Sequence, residues 1–296
     1  MALIAIPNVS EGRDRLVLER LAASIRARGA RLLDLHADPQ HHRSVFTTTG
    51  SGGDLVAGMT ALAVAAKSSL DLTERHGVHP RVGVLDVCPF VPHEEEMAAA
   101  IESARAAGAA IATEAGLPVY LYGAATERDA ARELPYLRRG GLEGLIRAAR
   151  EGLVPDFGPD VIDPRRGVVC VGARNVLIAF NIWLRASEDV ARRIAAEIRT
   201  SGEGPPGVRA LGVPMGDGIS QVTMNLIDPA VTGIDRAFEL VADAAATTGA
   251  EITATEIVGL VPERYLPDPS ATAARLLMKP GRSLESVLEG LLTPPG

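Results

Sequence analysis

The sequence predicts an α/β (α+β) fold of two tandem ferredoxin-like subdomains, each a mixed sheet with helices. Three observations carry this reading. The first part of the chain alternates as β-α-β-β-α-β, the order of a split βαβ unit. The same order returns in the second half. Two local echoes also recur at an offset of about 174 residues. Leu3-Ile4-Ala5-Ile6 resembles Leu177-Ile178-Ala179-Phe180, and each run leads into an amphipathic helix ending in Ile-Arg, at Ile25-Arg26 and Ile198-Arg199.

The elements follow in order. Residues 2–6 are short and apolar, a strand. Residues 14–28 place Leu16, Leu18, Leu21, Ile25 and several alanines on one broad side of a helix, which Gly29 stops. Residues 31–36 and 44–49 are strands, the second rich in Val, Phe and Thr. Asp54 is suited to cap a helix to about residue 70. Residues 82–90 form an apolar strand. Glu94–Glu96 then load the start of a helix to residue 115, where acidic groups complement the helix dipole. A strand over 117–122 and short helices near 126–134 and 142–151 complete this half. In the second half, strands are expected over 176–184, 209–213, 221–227 and 251–260. Helices are expected over 187–200 and 233–248. The Pro- and Gly-rich stretch 155–172 reads as the boundary, giving subdomains 1–171 and 172–296.

Composition excludes several function classes. The 30 basic and 37 acidic residues leave a net charge of −7, which argues against nucleic-acid binding. Aromatics are 3% of the 296 residues, too few for base-stacking platforms. No apolar run approaches the roughly 18 residues of a membrane span. The start, Met-Ala-Leu-Ile-Ala-Ile-Pro, lacks the basic region of a signal peptide. Cys88 and Cys170 each lie in an apolar segment and read as reduced core residues of a cytoplasmic protein.

Four segments carry chemistry. Residues 7–13, Pro-Asn-Val-Ser-Glu-Gly-Arg, join the first strand to the first helix. Their amides can hold an anion, with Asn8 and Ser10 adding side-chain hydrogen bonds, or can form a capped turn. Residues 34–43 gather His36, His41, His42, two aspartates and Arg43. A metal site, an anion pocket around Arg43 and a solvated loop all fit, because the spacing matches no standard ligand set. Arg75, His76, His79 and Arg81 sit on a Gly/Pro-punctuated loop at the lip of the 82–90 strand, where a titratable group near neutrality is well placed for catalysis. Residues 158–167, Gly-Pro-Asp-Val-Ile-Asp-Pro-Arg-Arg-Gly, suit close backbone approach to a ligand, or a domain linker. There is no Walker loop, dinucleotide fingerprint or nucleophile elbow.

Several of these runs closely resemble glutamate formimidoyltransferases, the formiminotransferase part of formiminotransferase-cyclodeaminases. They are residues 7–13, His-Pro-Arg-Val-Gly-Val-Leu-Asp-Val-Cys-Pro-Phe-Val-Pro (79–92), Val-Tyr-Leu-Tyr-Gly (119–123), Pro-Asp-Phe-Gly-Pro (155–159) and Gly-Ala-Arg (172–174). Gln-Val-Thr-Met-Asn-Leu (221–226) and Ile-Val-Gly-Leu-Val-Pro (257–262) extend the likeness into the second half.

The resemblance implies two subdomains flanking a folate-binding cleft. It implies transfer of the formimino group of N-formimino-L-glutamate to N5 of tetrahydrofolate, a co-substrate of one-carbon metabolism and histidine degradation. No metal is called for. The family's catalytic histidine falls on His79. Its folate loop falls on Gly158, Pro159, Asp160, Val161, Ile162, Asp163, Pro164, Arg165, Arg166 and Gly167. Asn8, His36, His42, Arg43 and Arg81 fall on the donor side, and a homodimer is a candidate assembly. Both substrates carry carboxylates, which arginine's fork suits, so Arg165 and Arg166 are read as exposed carboxylate partners whose removal leaves stability little changed.

Departures from the family pattern fall at His36, where Asp is usual, at His42, where Asn is usual, and at Arg166, where the animal form has Trp. They leave three alternatives open: a formyl donor, a folate-binding protein without turnover, and a metal-dependent hydrolase built on His36, His41, His42 and Asp34.

Overall fold

A computed structural model of the chain describes residues 3–74 and 77–292. Arg75 and His76 lie outside the described residues. The chain forms two compact units, residues 1–175 and 176–296.

The first unit contains, in order, β1 (Leu3–Ala5), β2 (Asn8–Val9), α1 (Arg15–Arg26), β3 (Arg31–Asp38), β4 (Arg43–Gly50), α2 (Gly52–Ser69), β5 (Leu85–Pro92), α3 (Met97–Ala115), β6 (Val119–Gly123), α4 (Leu134–Leu137), α5 (Gly141–Arg150) and β7 (Val169–Ala173). β1 and β2 both pair antiparallel with β4 and β5, so they occupy one strand position broken at Ile6-Pro7. Pro7 has no N–H to give the ladder. The ladder is carried past the break by Ile6 N–H donating to Pro89 O and Phe46 N–H donating to Pro7 O, both at 3.0 Å. The sheet therefore runs β3, β4, β1/β2, β5, β7, β6, antiparallel up to β5 and parallel beyond it.

Alternation along the strands sends Phe46, Leu85, Cys88 and Phe90 to one face, where Leu21 and Ile25 of α1, Leu55 and Met59 of α2, and Ala104 and Ile111 of α3 cover them. On the opposite face Val87, Tyr120 and Cys170 pack with Leu137, Leu145 and Ile162. Cys88 and Cys170 are both free and buried. Burial pushes the Cys88 thiol up, and the Cys170 thiol up to about 12.

The second unit contains β8 (Ile178–Arg185), α6 (Glu188–Ile198), β9 (Val208–Gly216), β10 (Ile219–Leu226), α7 (Ile234–Thr248), β11 (Glu251–Val258), α8 (Thr272–Arg275) and α9 (Leu284–Leu292). Its sheet runs β11, β8, β10, β9, antiparallel throughout. Phe180, Ile182 and Leu184 point to the face covered by Ile194 and Ile198 of α6 and Val241 of α7. The strand order fourth, first, third, second holds in both units, as the tandem ferredoxin-like expectation requires.

Three details differ from the sequence reading. β7 falls where a linker was expected. Its five residues are buried without alternation because they sit between two parallel neighbours, and they carry the first unit past 171/172. Ser51, rather than Asp54, caps α2, and Asp54 closes the capping box from the N3 position. Glu94 and Glu95 precede α3, and Glu96 stands at its N-cap without a side-chain hydrogen bond. Among the described residues no helix is long and apolar enough to cross a membrane.

Candidate active site

Three segments of the first unit meet at one end of its sheet: residues 7–13, the β3–β4 turn and the 77–86 segment. Two glycines permit the approach. A Cβ on Gly12 would lie 2.1 Å from Asp38 O, and one on Gly77 would lie 2.3 Å from His41 O. Neither position has room for a side chain.

A β-bulge supplies the charge at the centre. Asn8 pairs with Val87 and Val9 with Leu85, which leaves Asp86 as the extra residue of β5. A bulge re-aims side chains. It turns Asp86 away from the face that holds Leu85 and Cys88, and toward Arg43 and Arg138. The carboxylate is fully buried. Its Oδ1 accepts from Val82 N–H at 2.7 Å. Its Oδ2 accepts from Arg43 Nη1 at 2.5 Å and from Arg138 Nη2. Burial alone would raise its pKa. The charges of Arg138 and Arg43, with the Val82 amide, overcome that and hold it at about 2.

Arg43 is held at more than one point. Its Nε donates to Asn8 Oδ1 at 2.9 Å, while Nη1 engages Asp86 and lies 3.4 Å from His79 Nδ1. Asn8 is itself braced by its Nδ2–H donating to Ile6 O at 2.9 Å. Burial lowers the Arg43 pKa. Asp86 acts against that, and the neighbouring charges of Arg138 and Arg81 add to it.

His79 Nδ1 lies 2.7 Å from Pro80 O. A carbonyl can only accept, and this contact is much shorter than the 3.4 Å to Arg43 Nη1, which can only donate, so the shorter contact assigns the proton to Nδ1 and leaves Nε2 as the basic nitrogen. The half-buried ring has its pKa pushed well below the ordinary histidine value, first by burial and then by the positive charges of Arg43 and Arg138. His41 stands beside it, ring centroids 5.8 Å apart.

The remaining sequence-predicted residues divide. His42 is buried and faces Glu11, Nδ1 to Oε1 3.5 Å, and it accepts from Gly12 N–H at 3.1 Å. Its φ of 50° is rare for a side chain of this size and is held by that packing. His36 lies on β3 opposite Val45, and Val45 in turn is opposite Asn8, so all three share a row across the sheet. Arg81 contributes through its charge beside Arg43.

Of the two readings of residues 7–13, an anion site and a capped turn, the structure has the turn, with its amides on Glu11. Its Oε1 accepts from Gly12, Arg13 and Asp14 N–H at 2.9, 2.8 and 3.0 Å. Ser10 Oγ–H donates to Gly83 O at 2.7 Å. Among the described residues no group of three His, Cys, Asp or Glu side chains converges as metal ligands would.

The 158–167 loop runs beside the same segment. Gly167 bridges Gly83, and Val84 N–H donates to Arg166 O at 2.9 Å. Val161 projects, 83% exposed, while Ile162 is buried in the second core of the unit. Arg165 and Arg166 are tied into the fold. Arg165 Nε meets Asp71 Oδ2 at 2.5 Å, and Arg166 Nη1 donates to Leu70 O at the end of α2. Neither side chain is a free partner for a carboxylate in this arrangement.

Sequence reasoning overlooked Asp86, Arg138 and Glu11. Asp86 did leave a signal. It is the only charged residue in the apolar run 82–90, and a charge inside a buried strand needs partners. Arg138 left none, since it meets Asp86 from 52 residues away.

Over most of its length the chain is similar to known proteins. The formiminotransferase domain, N-terminal subdomain, matches residues 2–174, and the formiminotransferase domain matches residues 179–276. Glutamate formimidoyltransferase of Streptococcus pyogenes serotype M1 is 36% identical over 268 residues, covering 89% of this chain and 90% of its own. The enzyme of that name from Thermoplasma acidophilum is 38% identical over 276 residues, covering 90% and 91%. Formimidoyltransferase-cyclodeaminase of Sus scrofa is 37% identical over 276 residues, 90% of this chain but 51% of its own, so the chain spans about half the length of that relative.

Proposed function

The chain belongs to the formiminotransferase family, and from that premise we propose that it transfers the formimino group of N-formimino-L-glutamate to N5 of tetrahydrofolate. The observation that carries the reading is the His79 ring, oriented by the Pro80 carbonyl and set beside a braced Arg43.

In the proposed reaction N5 attacks the amidine carbon. A C–N5 bond forms, the amidine π bond opens, and a tetrahedral intermediate results. His79 Nε2 takes the proton that N5 loses. The same proton then goes to the glutamate nitrogen as its bond to carbon breaks. One imidazole thus serves as general base and then general acid. The lowered pKa bears on both steps. The ring is neutral and basic at physiological pH, and its conjugate acid gives the proton up readily. Catalysis of this kind contributes roughly 10²–10⁴ in rate, about 3–5 kcal/mol.

Arg43 and Arg81 supply permanent positive charge for the donor's carboxylates. Asn8 orients Arg43, His42 supports the 7–13 segment through Glu11, and His36 flanks the same row of the sheet. The 158–167 loop is assigned to the folate. Its ordered backbone and projecting Val161 are what it offers, since the side chains of Arg165 and Arg166 are engaged with α2 and Asp71.

The test is steady-state turnover with tetrahydrofolate, comparing formiminoglutamate with formylglutamate. Turnover with the first and at most a trace with the second is expected. Preference for the formyl donor would reassign the donor. Folate binding without turnover of either would overturn the enzymatic reading.

A further inference from the structure

Asp86 fits neither the role of a substrate ligand nor that of a core residue. Both of its oxygens are taken up by Val82 N–H, Arg43 and Arg138. A buried ion pair is also weak evidence of a stability role, because well-packed apolar residues commonly do as well. Arg138 is equally unusual. Its Nε is buried without a hydrogen-bond partner, and its Nη2 reaches the Asp86 carboxylate from the connection between α4 and α5. The two residues add a charge pair to β5 at the bulge, one strand away from Asn8 and next to His79.

We propose that Asp86 and Arg138 are positioning residues of the transfer reaction: Asp86, clamped by Arg138, holds the Arg43 guanidinium beside His79, so that the carboxylate-binding group and the proton-transfer group share one rigid frame. Arg43 is planar and has two anchors, Asn8 on Nε and Asp86 on Nη1. Two anchors fix the plane of a guanidinium, whereas one leaves it free to swing. The inference rests on the proposed reaction for what Arg43 and His79 do. The frame itself is read from the geometry.

The charged and titratable groups around the His79 ring are Arg43 on β4, Arg138 before α5, Asp86 on β5 and His41 in the β3–β4 turn, with Arg81 on its own segment beside Arg43. Arg43, Arg138 and His41 disfavour the protonated ring, and Asp86 favours it. Loss of the Asp86 charge alone would lower the His79 midpoint, whereas release of Arg43, whose effect on the ring is larger, would raise it. The direction of the change in Asp86→Asn therefore tells whether Asp86 holds Arg43 in place.

The experiment follows the ring of His79 by NMR titration of the full chain, labelled at histidine and assigned with a His79→Gln control, in wild type, Asp86→Asn and Arg138→Met. Arg138→Met is expected to raise the His79 midpoint by about half a pH unit or more, and Asp86→Asn to raise it as well, because the released Arg43 takes its larger opposing charge away from the ring; a lowered midpoint in Asp86→Asn would show that Arg43 keeps its place without Asp86 and would overturn the proposal. In turnover assays both variants should raise the KM for formiminoglutamate about tenfold, with a smaller change in kcat and none in the KM for tetrahydrofolate. Arg138→Lys should restore the midpoint but not the donor KM, since lysine lacks the fork. Unmoved midpoints and donor KM in folded variants would overturn the proposal. If Asp86→Asn does not fold, the Arg138→Met arm decides alone. A wild type without turnover of formiminoglutamate would instead defeat the reaction, while the titration would still judge the frame.

Discussion

The two units repeat one device and use it differently. In each, the fourth strand of the ferredoxin-like order carries an extra residue against the first. In the first unit that residue is Asp86, and in the second it is Thr253, which falls between Ile252, paired with Leu184, and Ala254, paired with Trp183. Asp86 is fully buried between two arginines, whereas Thr253 Oγ1–H donates weakly to Trp183 O at 3.4 Å. The bulge is therefore a property of the topology, and the chemistry comes from the side chain placed on it. A duplicated fold can keep its geometry in both copies and build a site in one.

The largest expected difference between the units is catalytic. His79→Ala should lower turnover at least about 100-fold with an unchanged circular dichroism spectrum. Thr253→Ala should leave turnover at the wild-type level. Equal turnover of wild type and His79→Ala would break the comparison at its centre.

A second contrast is in stability. Asp86→Ala leaves Arg43 and Arg138 as buried charges without their shared carboxylate, and urea unfolding should show a loss of about 3–5 kcal/mol. Thr253→Ala removes one long hydrogen bond and should cost less than about 1 kcal/mol. Similar costs at the two bulges would mean that Arg43 and Arg138 tolerate the loss of their shared carboxylate.

Acid sharpens the same point. The folded-state Asp86 carboxyl sits at about 2, below its ordinary value of 3.8. A depressed pKa contributes stability that is fully present above the unfolded value and is lost as pH falls through the folded one. The chain should thus lose on the order of 2 kcal/mol between about pH 4 and pH 2. Asp86→Asn should flatten that part of the stability–pH curve.

The smallest effect concerns the 158–167 loop. Replacing Arg165 and Arg166 together by alanine should lower the melting temperature, because the anchors to Asp71 and Leu70 go. It should weaken tetrahydrofolate binding only through the loosened loop. If folate affinity falls sharply while the melting temperature stays put, these arginines touch the ligand rather than the fold.

Much of this was legible in the sequence. Period-two and helical patterns gave both β-α-β-β-α-β series, because each element buries one face against one neighbour. β7 was missed for the opposite reason. A strand buried on both faces shows no alternation, and its Gly/Pro-rich approach looked like a linker. At the site, the clusters around residues 7–13, 34–43 and 75–81 were visible as unusual polar runs, and His79 and Arg43 do lie together. What the side chains face was not visible. His42 turns to Glu11, and Arg166 to a helix end, because those contacts depend on tertiary placement. Asp86 joins the site through a one-residue register shift that no local pattern encodes.

The Glu11 carboxylate has a further consequence. It fills the amides of Gly12, Arg13 and Asp14, just before α1, from within the chain, as a ligand on a very short tether. Such a ligand is present at a high effective concentration, in the millimolar range or above. Free inorganic anions competing for those amides have to displace it, which takes concentrations above that range. At lower concentrations phosphate or sulfate should act at the arginines and compete with the donor's carboxylates rather than unseat the strand-to-helix turn.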